Sequence, residues 1–161
     1  MTEIKKLHHS AYRCRDSEET RAFYEDFLGL PLIDAFEINT TLTGRDTRVL
    51  HSFFAMADGS CLAFFEAPRQ EFDFKEQHDF DLHIALEVDY PTLKRMFAAG
   101  PEQGIATRGV SDHGFIHSIY FRDPNGYVVE LAAPVGESAS APDVVAARAS
   151  LDSWQASKPG A

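Results

Sequence analysis

The strongest constraint on this 161-residue chain is that it repeats itself. His9-Ser-Ala-Tyr-Arg-Cys-Arg-Asp16, followed by a helical pattern and Gly29, returns as His83-Ile-Ala-Leu-Glu-Val-Asp89, a second helical pattern and Gly100; the histidines are 74 residues apart. Asp58-Gly59 through Pro68 returns as Asp123 through Pro134, at an offset of 65 to 66. Such a period fixes the architecture before any single element does. In the first half, residues 5–14 form a strand. Asp16 and Ser17 offer helix caps, with Glu18 and Glu19 in the first turn, where the helix dipole favours acids. Phe23, Phe27 and Leu28 give the helix one apolar side, and Gly29 and Pro31 end it. Strands over 32–38, 47–56 and 60–66 follow, with a polar loop over 39–46. In the second half, a strand over 82–88 precedes a helix that Pro91 opens and Gly100 ends. A short strand over 105–109, a loop over 110–114 and a hairpin around Asp123-Pro-Asn-Gly126 complete it; Pro, Asn and Gly suit such a turn.

Each half therefore reads β-α-β-β-β. About 60 residues make a marginal domain alone, so the halves must share a core. The expectation is an α+β protein of two βαβββ modules sharing a cleft. The first module covers 1–68 and the second 82–134, joined by a polar linker over 69–81. A tail over 135–161 begins rich in Gly, Ala, Ser and Pro and has a short helix over 143–156.

Composition excludes several roles. A formal net charge of −10 argues against nucleic acid and anionic membranes as partners. No apolar run approaches the length of a membrane span, and Met-Thr-Glu-Ile-Lys-Lys at the start is no secretory signal. Cys14 and Cys61 lie in strand-like runs and are expected to pack as small hydrophobes, which suits a cytoplasmic protein.

Side chains alternate along a strand, and that places the chemistry. His83, Ala85 and Glu87 share a face. So do His9, Ala11 and Arg13, and so do Val128, Glu130 and Ala132. Glu130 stands in an apolar run, where a carboxylate is costly unless paired. Two histidines at matched repeat positions, each followed two residues on by a small alanine, supply partners. His9, His83 and Glu130 make a set of two imidazoles and one carboxylate that suits a divalent metal with open positions. His8 competes with His9; register against His83 favours His9, and a slip of one residue reverses the face.

The runs Leu7-His8-His9 to Asp16, Thr20-Arg-Ala-Phe-Tyr-Glu-Asp-Phe-Leu-Gly-Leu30, Leu82-His83-Ile-Ala-Leu-Glu-Val-Asp89 and Tyr120-Phe-Arg-Asp-Pro-Asn-Gly-Tyr-Val-Val-Glu130 together resemble the vicinal oxygen chelate superfamily. This group includes glyoxalase I, extradiol dioxygenases and bleomycin-resistance proteins. The resemblance spans residues from about 5 to 134. It implies paired βαβββ modules forming a half-open, barrel-like cleft, a metal in that cleft held by His9, His83 and Glu130, and a homodimer. It also implies a small-molecule substrate whose vicinal oxygens bind that metal. Three ligands fit the extradiol dioxygenase branch, with Fe(II) or Mn(II) and a catechol-like substrate. A glyoxalase-type lyase or isomerase with Zn(II) or Ni(II) is the alternative, and Glu66 is the test of it. A drug-sequestering binding protein is a further alternative. By the same resemblance Tyr120 stands where a tyrosine hydrogen-bonds a metal-bound substrate oxygen. His113, on a loop, is a candidate acid–base group because histidine titrates near neutrality. His117 has the parity of the opposite face.

Overall fold

A computed structural model describes residues 3–40, 43–44, 46–76, 78–136 and 143–158. The repeat is realised as two mixed, four-stranded sheets of identical plan. The first contains β1 (His9–Cys14), β2 (Leu32–Thr40), β3 (Asp46–Ala55) and β4 (Cys61–Glu66) in the order β1-β4-β3-β2. The second contains β5 (Ile84–Glu87), β6 (Thr107–Asp112), β7 (Ile116–Arg122) and β8 (Val128–Pro134) in the order β5-β8-β7-β6. In each sheet the first and last strands run parallel and the other neighbours antiparallel. Both sheets are open, so the α+β fold contains no closed barrel.

The helices follow their caps. Asp16 accepts hydrogen bonds from the Glu18 and Glu19 N–H groups and starts α1 (Ser17–Arg21). This continues as a π-helical turn over Ala22–Phe27, in which the Leu28 N–H bonds the Phe23 carbonyl at 3.0 Å. The turn buries Phe23, Tyr24 and Phe27 together. Asp89 caps α2 (Tyr90–Glu102) through the Thr92 N–H. The expected stop at Gly100 does not occur. Gly100 lies inside α2, where a Cβ would fall 2.1 Å from Thr107 Oγ1 and 2.8 Å from the Phe121 ring. It is required for close packing of α2 on the second sheet, and the helix runs one turn further. The other differences are at element ends. β1 begins at His9 and not at residue 5, β5 leaves His83 on its approach, and β6 absorbs much of the expected loop over 110–114. The loop over 39–46 is shortened by both flanking strands; residues 41, 42 and 45 lie outside the described ones. α3 (Val144–Ser157) matches the helix expected in the tail, while 137–142 lie outside the described residues.

The two halves share one core containing Tyr24, Phe54, Phe64, Phe121, Leu93 and Ile119. The Phe27 and Phe121 rings meet edge to face at 5.1 Å, and Tyr12 packs on Tyr127 at 5.2 Å. The Asp123-Pro-Asn-Gly126 turn is the joint between the halves. Asn125 Oδ1 accepts from the Arg15 N–H at 2.8 Å, and the Asn125 carbonyl accepts from the Lys75 N–H at 2.8 Å. The segment between the sheets is therefore laid over this turn. Gly126 has φ +97°, and a Cβ there would stand 2.5–2.8 Å from Lys75 backbone atoms. Gly126→Ala is expected to cost about 2–4 kcal/mol, from left-handed strain and overpacking together. The urea unfolding midpoint measures it, and an unchanged midpoint would mean that Lys75 does not lie over the turn.

Candidate metal centre

The second sheet presents one polar face. Register pairs Ala85 with Glu130, Glu130 with Tyr120, and Tyr120 with Arg108. Directly paired residues share a face, so Glu130 and Tyr120 lie on it, and His83, two residues before Ala85, adjoins it. Leu86, Val129, Leu131, Ile119 and Phe121 point the other way, into the core.

Glu130 is only 6 % exposed. Its Oε1 accepts a 2.5 Å hydrogen bond from the hydroxyl of Ser118, itself fully buried. Its Oε2 lies 3.3 Å from His83 Nε2. The other nitrogen of that imidazole is also engaged. His83 Nδ1 is 2.7 Å from the Asp79 carbonyl oxygen, which can only accept, so Nδ1 carries a proton. Nε2 is then the nitrogen turned on the carboxylate oxygen. At 3.3 Å the two atoms are bridged either by a second imidazole proton, as an ion pair, or by a shared metal ion. Two bonds of about 2.1 Å to one metal separate their donor atoms by about 3.0 Å at a right angle and about 3.4 Å at a tetrahedral angle. His83 and Glu130 fit as neighbouring ligands, with Asp79 and Ser118 orienting them from behind.

His9 lies elsewhere. It sits on the matching face of the first sheet, beside His8, His51 and Phe53. One Nδ1–H joins His8 and His9, whose Nδ1 atoms are 2.7 Å apart. Among the described residues no three His, Cys, Asp or Glu side chains come together as a metal site within the chain. The repeat register is nonetheless clear. Ala11 pairs with Ala63 as Ala85 pairs with Glu130, so His9 is the counterpart of His83, and Ala63 takes the place of Glu130. Glu66 is three residues from Ala63 and has the opposite parity; its carboxylate accepts from the Ser17 N–H at 2.7 Å. It supports the start of α1 and is not a fourth donor beside His83.

His113 Nε2 is 3.3 Å from the Tyr120 hydroxyl, so the loop residue leans over the polar face. His117 is on the opposite face, against the Tyr90 ring and 3.6 Å from Asp112. Arg13 points at the Phe65 carbonyl.

The family model of the Glyoxalase/Bleomycin resistance protein/Dioxygenase superfamily matches residues 6–131. The chain belongs to this superfamily. Solved structures agree on the fold. A glyoxalase/dioxygenase from Nostoc punctiforme is 25 % identical, with a TM-score of 0.62, over 82 % of this chain and 92 % of that one. The fosfomycin resistance protein FosX from Listeria monocytogenes, in complex with Mn(II) and sulfate, is 20 % identical with a TM-score of 0.61, over 84 % and 97 %. TnmS3, an antibiotic binding protein from Streptomyces sp. CB03234, is 18 % identical with a TM-score of 0.61, over 84 % and 100 %. No curated protein sequence matches the chain significantly. Proteins of this fold thus include one solved with Mn(II) and one that binds an antibiotic. No helix among the described residues is long and apolar enough to cross a membrane.

Sequence reasoning missed three members of the site. Ser118 has the parity of Tyr120 and could have been found that way. Arg108 lies over the Tyr120 ring at 4.7 Å and forms an ion pair with Asp79, whose carboxyl it holds below its ordinary value. Asp79 presents its backbone carbonyl to His83 from a turn, and no residue pattern announces that.

Proposed function

We propose that this chain is a metal-dependent enzyme resembling extradiol dioxygenases, acting on a small, planar, catechol-like molecule with vicinal oxygens. His83 and Glu130 are two of its metal ligands. His9 is the third, supplied by the second copy in a homodimer. The observation that carries this is His83 Nε2 held 3.3 Å from a buried carboxylate oxygen, with Nδ1 fixed as a donor by the Asp79 carbonyl. The face around His9 supports a planar substrate. His51 stacks on Phe65 at 3.7 Å and 11°, and Phe36 stacks on Phe53 at 6.0 Å and 23°. An aromatic wall of this kind accepts a flat ring.

Fe(II) or Mn(II) at this place would bind the two substrate oxygens and give access to dioxygen; the Mn(II) in FosX supports such a metal. The side chains do the rest. Tyr120 donates its hydroxyl hydrogen to a substrate oxygen. His113, against that hydroxyl, takes or returns the proton. Buried Ser118 keeps the Glu130 carboxylate aimed. A lyase route is less well supported, because Glu66 is engaged by α1.

The test is elemental analysis after anaerobic reconstitution with Fe, Mn, Zn and Ni, followed by oxygen uptake on a catechol panel. About one metal ion per chain is expected. His83→Ala and Glu130→Ala should each weaken binding by more than about 100-fold, and Ser118→Ala by about 10-fold. Wild-type protein that takes up none of these metals overturns the proposal; metal without oxygen uptake removes the dioxygenase assignment alone.

A further inference from the structure

The chain carries an apolar stripe and an apolar groove, and neither covers the other. Helix α3 buries none of its residues. Val144, Ala147, Leu151 and Trp154 follow at spacings of three, four and three, so they line one side of it. Val144 is 76 % exposed and Trp154 65 %. A 14-residue helix gains most of its stability by packing such a side. The groove, a cavity of about 780 Å³, runs between the two halves and is walled by Leu30, Pro31, Met56, Val88, Met96 and Leu131. Leu131 alternates with Glu130, so the groove opens away from the metal-site face. Leu131 on the groove wall is three residues before Pro134, where β8 ends, and nine residues separate that end from α3.

We propose that α3 of one copy lays its Val144–Leu151–Trp154 side into this groove on a second copy, the exchange being made twice about a twofold axis. A single chain leaves both surfaces bare, although the strand that walls the groove leads on to the helix. In a twofold dimer each chain gives one helix and receives one, so every bare surface is covered. The remaining side of α3 argues against a lipid surface as the occupant. Arg148 there is paired with Asp152, and no basic cluster faces outward. The proposal uses neither the metal nor His9.

Trp154 is the only tryptophan and reports on its own docking. The experiment follows the emission maximum and the sedimentation of the full chain through a dilution series, for wild type and Leu151→Glu. Leu151 is unburied in the single chain, so this variant folds. Wild type is expected to be a dimer with blue-shifted emission that moves to the red as dilution separates the copies. Leu151→Glu should raise the dissociation constant by about 100-fold or more, because it loses leucine burial and places a charge in an apolar groove. Red emission at every concentration overturns the proposal. So does an unchanged dissociation constant in Leu151→Glu, and so does a blue shift that appears only with phosphatidylserine vesicles. A blue-shifted monomer, independent of concentration, assigns the helix to its own groove and also overturns it.

Discussion

His9→Ala and Glu130→Ala proteins, unfolded together in equal amounts and refolded, are expected to recover about a quarter of the wild-type metal content, although neither holds metal alone. The arithmetic follows from the symmetry of a dimer whose sites each take His9 from one copy and Glu130 from the other. Random pairing makes half of the dimers mixed. In a mixed dimer one site carries both defects and the other carries none. Half the dimers with one intact site of two gives about a quarter of the sites. A site built within one chain predicts no recovery, because every chain keeps its own defect. Metal retained against a competing chelator is the measurement, and it needs no knowledge of the substrate. The expectation rests on His9 standing among His8, His51 and Phe53 while His83 faces Glu130, with no triad within the described residues of the chain.

What the sequence disclosed and what it withheld divide along a physical line. Period-two alternation is local, so within each strand it grouped Ala85 with Glu87 and Glu130 with Ala132, and it set His117 on the face opposite Tyr120. The repeat is also local in each half, and both sheets have the same strand order. How the two halves face each other depends on packing between surfaces far apart in the chain, such as Phe27 on Phe121. The repeat could not say that His9 and His83 are apart within the chain. Gly100 misled for a related reason. Glycine ends helices when its own backbone turns left-handed, but here it is small because Thr107 and Phe121 stand close. The hydrogen bond from His83 to the Asp79 carbonyl comes from the shape of a turn, which composition does not encode.

Asp123→Ala is expected to be the most destabilising single substitution outside the site, at about 4 kcal/mol or more. Asp123 is 2 % exposed and accepts four hydrogen bonds. The Asn125 and Tyr127 N–H groups donate to Oδ1 at 2.9 and 2.8 Å, and the Tyr24 hydroxyl and the Asn125 amide donate to Oδ2, each at 3.0 Å. Burial, with Asp123 alongside, holds the Tyr24 hydroxyl well above its ordinary pKa, so it remains a donor. Truncating the acceptor strands four donors at once, at the joint between the halves. Asp123→Asn keeps the shape and one acceptor oxygen and should cost about half as much. The two variants also make the pH dependence legible. Burial raises the Asp123 carboxyl above its ordinary value, and its hydrogen bonds oppose this only in part. A raised folded value means that the fold favours the protonated acid. That contribution is complete below the ordinary aspartate range and is lost as pH rises through the raised folded value. The stability gap between wild type and Asp123→Asn should therefore widen as pH falls across that window, since the amide cannot titrate. Urea unfolding of both proteins across that window measures the gap; a gap that narrows with acid would mean that Asp123 is stabilised as the anion, its four donors outweighing its burial.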